Sequence, residues 1–502
     1  MPQPTLVDLI ENAAGSNEPR SAAELKIATG GVDPLGLRQI NFQLMDLVLP
    51  GLNNVARHIR PYTVIAWAWR RAAHCARATG RAVIPDTEIV DFVDRVEVLF
   101  TWSQLLRDAG ADLPGRDFLS HLKNRERFAF GGTAWKKMCT ARRYSTALSA
   151  PVNYGPAVKF LGWIEPTDKR RIFKSSDRVQ AALDAFEKGL RKDIHHPAFN
   201  RFGPVEVTQD EVLRWSDVWD LTDPTDEEKA AMRASLDGVE GNSALSRASR
   251  CIAEQVEFRK GKTGVAEIRS DLCGVPSAFL PSPELADLSA HWRNIQLRQL
   301  FRLSLEAILY WASAMTSERP YETSELVRAF LAKAGSARTA SKWLHIDADD
   351  EVDIPELLET LQACLYQGPE SGKLAVQIRR SLAVSLFEKC EDVVTQNRER
   401  LPLSRAREEM EALSSQSSSV FLEHVFNSWV FGQHVYWAIG RGLGDARSRG
   451  KTILRLRVVP DEGGWTLAPG ANARSVPRAT PDRLETAVCL MQEAGMIGAK
   501  SQ

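Results

Sequence analysis

The side chains best suited to chemistry on a partner are cations gathered in one stretch. Between Arg116 and Lys192 there are 17 Lys and Arg against 7 Asp and Glu, a net +10 in a chain whose 64 basic and 64 acidic residues otherwise cancel. Lys136, Lys137, Arg142, Arg143, Lys159, Lys169, Arg170, Arg171 and Lys174 carry the densest part. Lysine and arginine at this density neutralise phosphates without any fixed motif, and the affinity they give falls steeply with salt. A blander reading stands beside this one. Residues 205–240 hold 3 basic against 11 acidic side chains, a net −8, so the two segments can neutralise each other in the folded chain. Charge runs are usually solvated faces, and both readings remain open at this stage.

A second group, Asn53, Asn54, Arg57 and Arg60, follows the turn signal Pro50-Gly51. The asparagines can cap the next segment, and the arginines can either tie the turn to a carboxylate or bind phosphate, the tie being preferred. Metal chemistry finds little to work with. His195 and His196 are adjacent and so point apart, and His58, His74 and Cys75 match no ligand spacing, so neither a metal nor a cofactor is expected. There is no G-x-S-x-G elbow, phosphate-cradling G-x-x-x-x-G-K-[ST] loop, H-E-x-x-H or dinucleotide fingerprint, so no catalytic residue is assigned. Glu423, His424, Gln433 and His434 punctuate an apolar helix and read as satisfied core or interface groups. The seven cysteines, odd in number and without a C-x-x-C pair, read as reduced thiols.

These residues need elements to hold them. A chain of 502 residues exceeds what one core fills, so two to four domains are expected. Apolar spacing is helical along most of it, which predicts a mainly α, multidomain protein with one or two winged-helix-like units carrying short β-hairpins. Residues 1–32 read as a flexible arm, 33–130 as a helical domain and 131–203 as a basic winged-helix-like unit. That unit is marked by a helix over Tyr154–Gly162, a hairpin through Lys174 and a helix from Ser176. Residues 204–242 read as an acidic linker, 243–413 as a second helical domain and 414–502 as a helix-hairpin-helix unit. In the last, Thr452–Pro460, Asp461–Gly464 and Trp465–Leu467 read as strand, turn and strand, and Thr480 with Pro481 as the start of a helix running to Ala494. Most of the thirteen tryptophans occupy apolar helical positions, which predicts packing roles. No signal peptide and no run of roughly 18 apolar residues is found, so a cytoplasmic location away from membranes is expected.

The run Asp33-Pro34-Leu35-Gly36-Leu37, then Leu49-Pro50-Gly51-Leu52-Asn53-Asn54-Val55-Ala56-Arg57-His58-Ile59-Arg60-Pro61-Tyr62 and Trp67, resembles the N-terminal signature of a group of uncharacterised bacterial proteins often encoded beside helicases, nucleases or methylases in phage-defence gene clusters. Trp429–Arg441, with Gln433-His434 inside it, and the terminal hairpin and helix are similar to the end of the same group. The resemblance touches about a fifth of the chain, and Pro61-Tyr62 departs from the R-Y-Y form of that group. It implies a non-catalytic component of an anti-phage system that binds DNA or other proteins of a multi-gene cluster. An effector enzyme such as a nuclease without a local signature, and a pure scaffold, are the alternatives.

Overall fold

Three- and four-residue apolar spacing gives helices over most of the chain, and strands occur only as short pairs. The structure is a computed structural model that describes residues 26–27, 33–142, 146–238, 243–274, 279–345, 352–388, 398–449 and 453–498. It is mainly α, as expected, with four two-stranded sheets among the described residues. No described helix is long and apolar enough to cross a membrane.

The first core is built on α1 (Arg38–Val48), α2 (Ile59–Ala78) and α3 (Asp86–Leu106). Both α2 and α3 are buried on nearly every side over part of their length, Tyr62 to Trp69 in one and Arg95 to Leu105 in the other, which is the pattern of central helices. Strand β2 (Arg127–Phe130) pairs antiparallel with β5 (Val205–Thr208), Phe130 opposite Val205, and so closes off everything between them as one excursion. That excursion holds α4 (Thr133–Arg142), α5 (Tyr154–Phe160), the antiparallel hairpin β3–β4 (Ile164–Pro166 and Phe173–Ser175) and α6 (Gln180–Gly189). The helix, hairpin, helix order read from the sequence is present.

Residues 204–242 are more than a linker. After β5 come α7 (Gln209–Ser216) and α8 (Asp226–Leu236), each started by a reciprocal capping box, Thr208 with Glu211 and Thr225 with Glu228. Five of the acidic residues that suggested a solvated connection, Asp210, Glu211, Asp226, Glu227 and Glu228, are first-turn residues, where they stabilise the positive end of the helix dipole. The T-x-x-E spacing, present twice in the sequence, is the signal that identifies them.

Burial also divides the chain otherwise than the sequential reading. The 30-residue helix α9 (Ala286–Met315) gives Leu288, Trp292 and Ile295 to the first core, then Leu297, Phe301, Ile308 and Trp311 to a second. The second core holds residues through Val458, but also Leu35 and Leu37 from the start of the chain. Conversely, the terminal helix α11 (Leu484–Glu493), which follows α10 (Gln433–Arg449), packs into the first core through Leu484, Val488 and Met491. The expected unit 414–502 is therefore split between two cores.

Its hairpin is present as β7–β8 (Val458–Asp461 and Gly464–Leu467), while Ile453–Leu454, expected in the same strand, is β6 and pairs in parallel with β1 (Lys26–Ile27). Gly464 has φ +116°, and a Cβ there would lie 2.3 Å from Tyr321 O, so only glycine fits. Thr480 does not cap the last helix. Its N–H donates to Gln299 Oε1 at 3.2 Å and its carbonyl accepts from Gln299 Nε2, so both backbone groups are taken outside the helix, which begins four residues later. The six described cysteines are unpaired and four of them buried; Cys390 lies outside the described residues.

Candidate nucleic-acid interface

The β3–β4 hairpin is anchored from below by buried Trp163, Ile164 and Ile172, so its tip projects its polar residues outward. At the tip Thr167 N–H donates to Ile172 O at 3.1 Å and Lys169 N–H to Thr167 Oγ1 at 3.3 Å, which fixes the turn. Lys169, Arg170, Arg171 and Lys174 are all exposed. Arg171 is held at φ +73°, a conformation that costs a side-chain-bearing residue about 1–2 kcal/mol. Lys169 Nζ reaches Asp86 Oδ1 at 2.9 Å, and Lys174 Nζ reaches Glu165 Oε2 at 3.0 Å from the residue directly opposite in the ladder. Arg170 and Arg171 have no carboxylate within ion-pair distance among the described residues, and neither have Lys136 and Lys137 on the exposed side of α4.

Arg142 corrects the sequence expectation. It is buried, with Nη2 3.6 Å from Glu97 Oε2 inside the first core and Nη1 donating to Asp94 O at 3.4 Å. Burial pushes the Glu97 carboxyl up, and the Arg142 guanidinium opposes that. The reason is its phase on α4: Trp135, Met138 and Arg142 recur at three and four residues and form the inward face, so Arg142 belongs to packing and not to the surface. Arg143 lies outside the described residues. Mutual neutralisation of the basic and acidic segments is slight. Among the described residues one ion pair, Arg127–Glu206 at 3.2 Å with both partners exposed, joins 116–192 to 205–240.

Under the hairpin lies a cavity of about 210 Å³ lined by Trp69, Val90, Val93, Asp94, Ala147, Ser149, Ala150, Pro151, Gly155, Ile164 and Phe173, with Lys159 and Arg171 as its cationic residues. Lys159 Nζ sits 4.3 Å above the Phe173 ring, and burial holds its ammonium below the usual lysine range. The sequence placed Lys159 and Arg171 on a surface but gave no sign that they share a cavity, because its walls come from α2, α3, the 147–151 loop, α5 and the hairpin.

The Asn53–Arg60 group is tied into the fold by hydrogen bonds and ion pairs. Asn53 Oδ1 accepts from Val55 N and Ala56 N, both at 3.0 Å, and Asn54 Oδ1 accepts from Arg483 N at 3.0 Å. Arg57 Nη1 meets Glu485 Oε1 at 2.8 Å, and Arg60 Nη1 meets buried Glu228 Oε2 at 2.9 Å. Between them His58 bridges two carboxylates: Nδ1 is 2.6 Å from Glu493 Oε1 and Nε2 is 3.0 Å from Asp112 Oδ2. The sequence search missed this bridge, since its partners stand 54 and 435 residues away. Two further histidines take part in hydrogen bonds. His196 accepts from Ala198 N and contacts Glu211 at 3.1 Å. His434 accepts from Arg457 N at 2.7 Å, so its Nδ1 carries the proton and donates to Pro34 O at 3.0 Å. Burial pushes that imidazole down to about 4, which keeps it neutral. Among the described residues no group of three or more His, Cys, Asp or Glu is placed to hold a metal ion.

Comparison of the chain with family models, curated proteins and solved structures returns no match.

Proposed function

We propose that the chain is a non-catalytic, DNA-contacting component of a multi-protein system, with the β3–β4 hairpin acting as the wing of a winged-helix-like unit. The observation that carries this is the hairpin tip. Arg170 and Arg171 stand exposed on a turn anchored by buried aromatic and aliphatic residues, without a carboxylate partner among the described residues. Fixed cations on a projecting hairpin suit phosphate contact, which positions a protein on a duplex without reading its sequence. Lys169 and Lys174 extend the cationic surface, and their exposed pairs with Asp86 and Glu165 are weak enough to yield to phosphates. Lys136 and Lys137 on α4 belong to the same excursion. The resemblance of both ends of the chain to proteins of phage-defence clusters supports placing that system in anti-phage defence, where other proteins of the cluster are the further partners.

Binding to labelled duplex and single-stranded DNA over a salt series tests the proposal. Each phosphate contact contributes about 0.9 to the slope of log affinity against log salt on duplex DNA. A variant with Lys169, Arg170, Arg171 and Lys174 reversed to Glu is therefore expected to lose binding. The milder Arg170→Ala/Arg171→Gly variant is expected to lower the slope by about 2. The second substitution places glycine where φ is positive, so the fold is kept. An unchanged slope in that folded variant sinks the wing.

A further inference from the structure

The cavity under the hairpin has a composition that a mere packing defect does not need. Its walls are two aromatic rings, Trp69 and Phe173, joined edge to face at 5.4 Å, together with Val90, Val93, Pro151 and Ile164. Lys159 and Arg171 supply two cations, and Asp94 and Ser149 add polar groups. Trp69 is 5 % exposed, and its indole N–H is buried with no acceptor among the described residues. A buried donor left in this state costs about 1–3 kcal/mol until something accepts from it. Lys159 is exposed at the cavity's edge, its ammonium 4.3 Å from the Phe173 ring, and partial burial lowers it from the usual lysine range. Arg171, the other cation, is exposed in a left-handed conformation and has no ion-pair partner among the described residues.

We propose that this cavity receives a single nucleotide, with the base among Trp69, Phe173, Val90 and Pro151 and the phosphate on Lys159 and Arg171. Size, charge and polarity each narrow the choice. About 210 Å³ falls below the roughly 300 Å³ at which drug-sized pockets begin, so it holds one ring system and excludes a dinucleotide. Two cations beside apolar and aromatic walls ask for a flat ring that carries an anion. The unpartnered indole N–H asks for an acceptor on the ring, and Asp94 with Ser149 can receive an amino group, features that the edge of a nucleobase combines. The hairpin supplies Ile164, Arg171 and Phe173 to the cavity, so the proposed wing and the cavity share Arg171. This inference rests on the wing reading for the source of the nucleotide: a base everted from a strand, paying for its unstacking by burial in the cavity. A free nucleotide has the same chemistry, and the test separates the two.

Equilibrium dialysis of the full chain against deoxyadenosine 5′-monophosphate, deoxyadenosine and inorganic phosphate comes first. The monophosphate is expected to bind at least about tenfold better than either half, because base and phosphate contacts are both needed. Val90→Trp fills the cavity from α3 without altering charge. It is expected to weaken monophosphate binding at least tenfold while the salt slope on duplex DNA stays as in the parent, with thermal melting as the check on folding. Duplexes carrying 2-aminopurine read eversion by a rise in fluorescence that the parent produces and Val90→Trp does not. Monophosphate binding unaffected by a folded Val90→Trp, or no better than that of phosphate alone, overturns the proposal. A lost monophosphate signal with an unchanged salt slope leaves the wing standing. Saturable monophosphate binding with no binding to any strand overturns the everted-base source.

Discussion

Arg60→Met is expected to destabilise the protein by about 3–5 kcal/mol, because it leaves the Glu228 carboxylate buried and alone. Glu228 is fully buried and Arg60 nearly so, with Nη1 and Oε2 2.9 Å apart. The same guanidinium donates from Nε to Asp220 O at 3.1 Å and from Nη2 to Asp223 O, so it also fixes the loop that leads into α8. Burial pushes the arginine down and the glutamate up, the direction in which each loses its charge, and their mutual attraction is the largest influence opposing it. A pair so balanced contributes little net stability, yet removing one member exposes the full desolvation cost of the other. The double variant Arg60→Met/Glu228→Gln is therefore expected to recover most of the loss. Gln at 228 also keeps an oxygen for the Thr225 N–H, which Glu228 now accepts at 2.7 Å, so the helix cap survives. Urea unfolding of the parent, the single and the double variants measures this. A loss under about 1 kcal/mol in the single variant contradicts it.

Arg60 also shows where the sequence stops being informative. Its type and its place after a Pro-Gly turn suggested a tie to a carboxylate. Which carboxylate was not legible, because Glu228 is 168 residues on in a segment whose acidity pointed to a linker. Local signals carried over well: helical spacing set the mainly α class, and the Gly162 turn and following residues announced the β3–β4 hairpin. Arg142 could have been removed from the basic surface by its phase with Trp135 and Met138, but summed charge hides phase. Thr480 and Pro481 form a good local helix start, overridden because Gln299 on α9 takes both backbone groups of Thr480. The cavity under the hairpin was invisible for the same reason as the Arg60 partner, since no spacing along one chain segment encodes walls drawn from five.

The runs singled out near the N-terminus take part in two long-range clamps. In the first, Asp33 caps α1 through Leu37 N at 2.9 Å and holds Arg441 Nη2 at 3.0 Å, while His434 takes Pro34 O. Gly36, at φ +70°, lies where a Cβ would sit 2.3 Å from the Trp437 ring. The run at 33–37 and the run at 433–441 therefore specify each other. In the second, Asn54, Arg57 and His58 hold α11 through Arg483, Glu485 and Glu493. These contacts tie the motif residues into the fold.

The second clamp has a pH signature that distinguishes it from simple packing. His58 stands between Asp112 and Glu493, and Glu493 Oε2 also accepts from Ile59 N at 2.7 Å. Burial alone lowers an imidazole, but here the hydrogen bonds and charges of the two carboxylates outweigh it, and His58 is pushed up to about 9. Asp112 is held below the usual carboxylate range by its hydrogen bond to His58. A histidine raised from 6.5 in the unfolded chain to about 9 in the folded one contributes about 3 kcal/mol. That contribution is complete below the unfolded value and disappears as pH rises through the folded one. His58→Gln is accordingly expected to be about 3 kcal/mol less stable than the parent near pH 6, and within about 1 kcal/mol of it near pH 10. Taking the difference between the two proteins at each pH cancels the buried thiols, which titrate in both. Denaturation across this range decides the matter: a difference that does not shrink with rising pH means that His58 holds α11 by shape and neutral hydrogen bonds, not by the charge that the two carboxylates sustain.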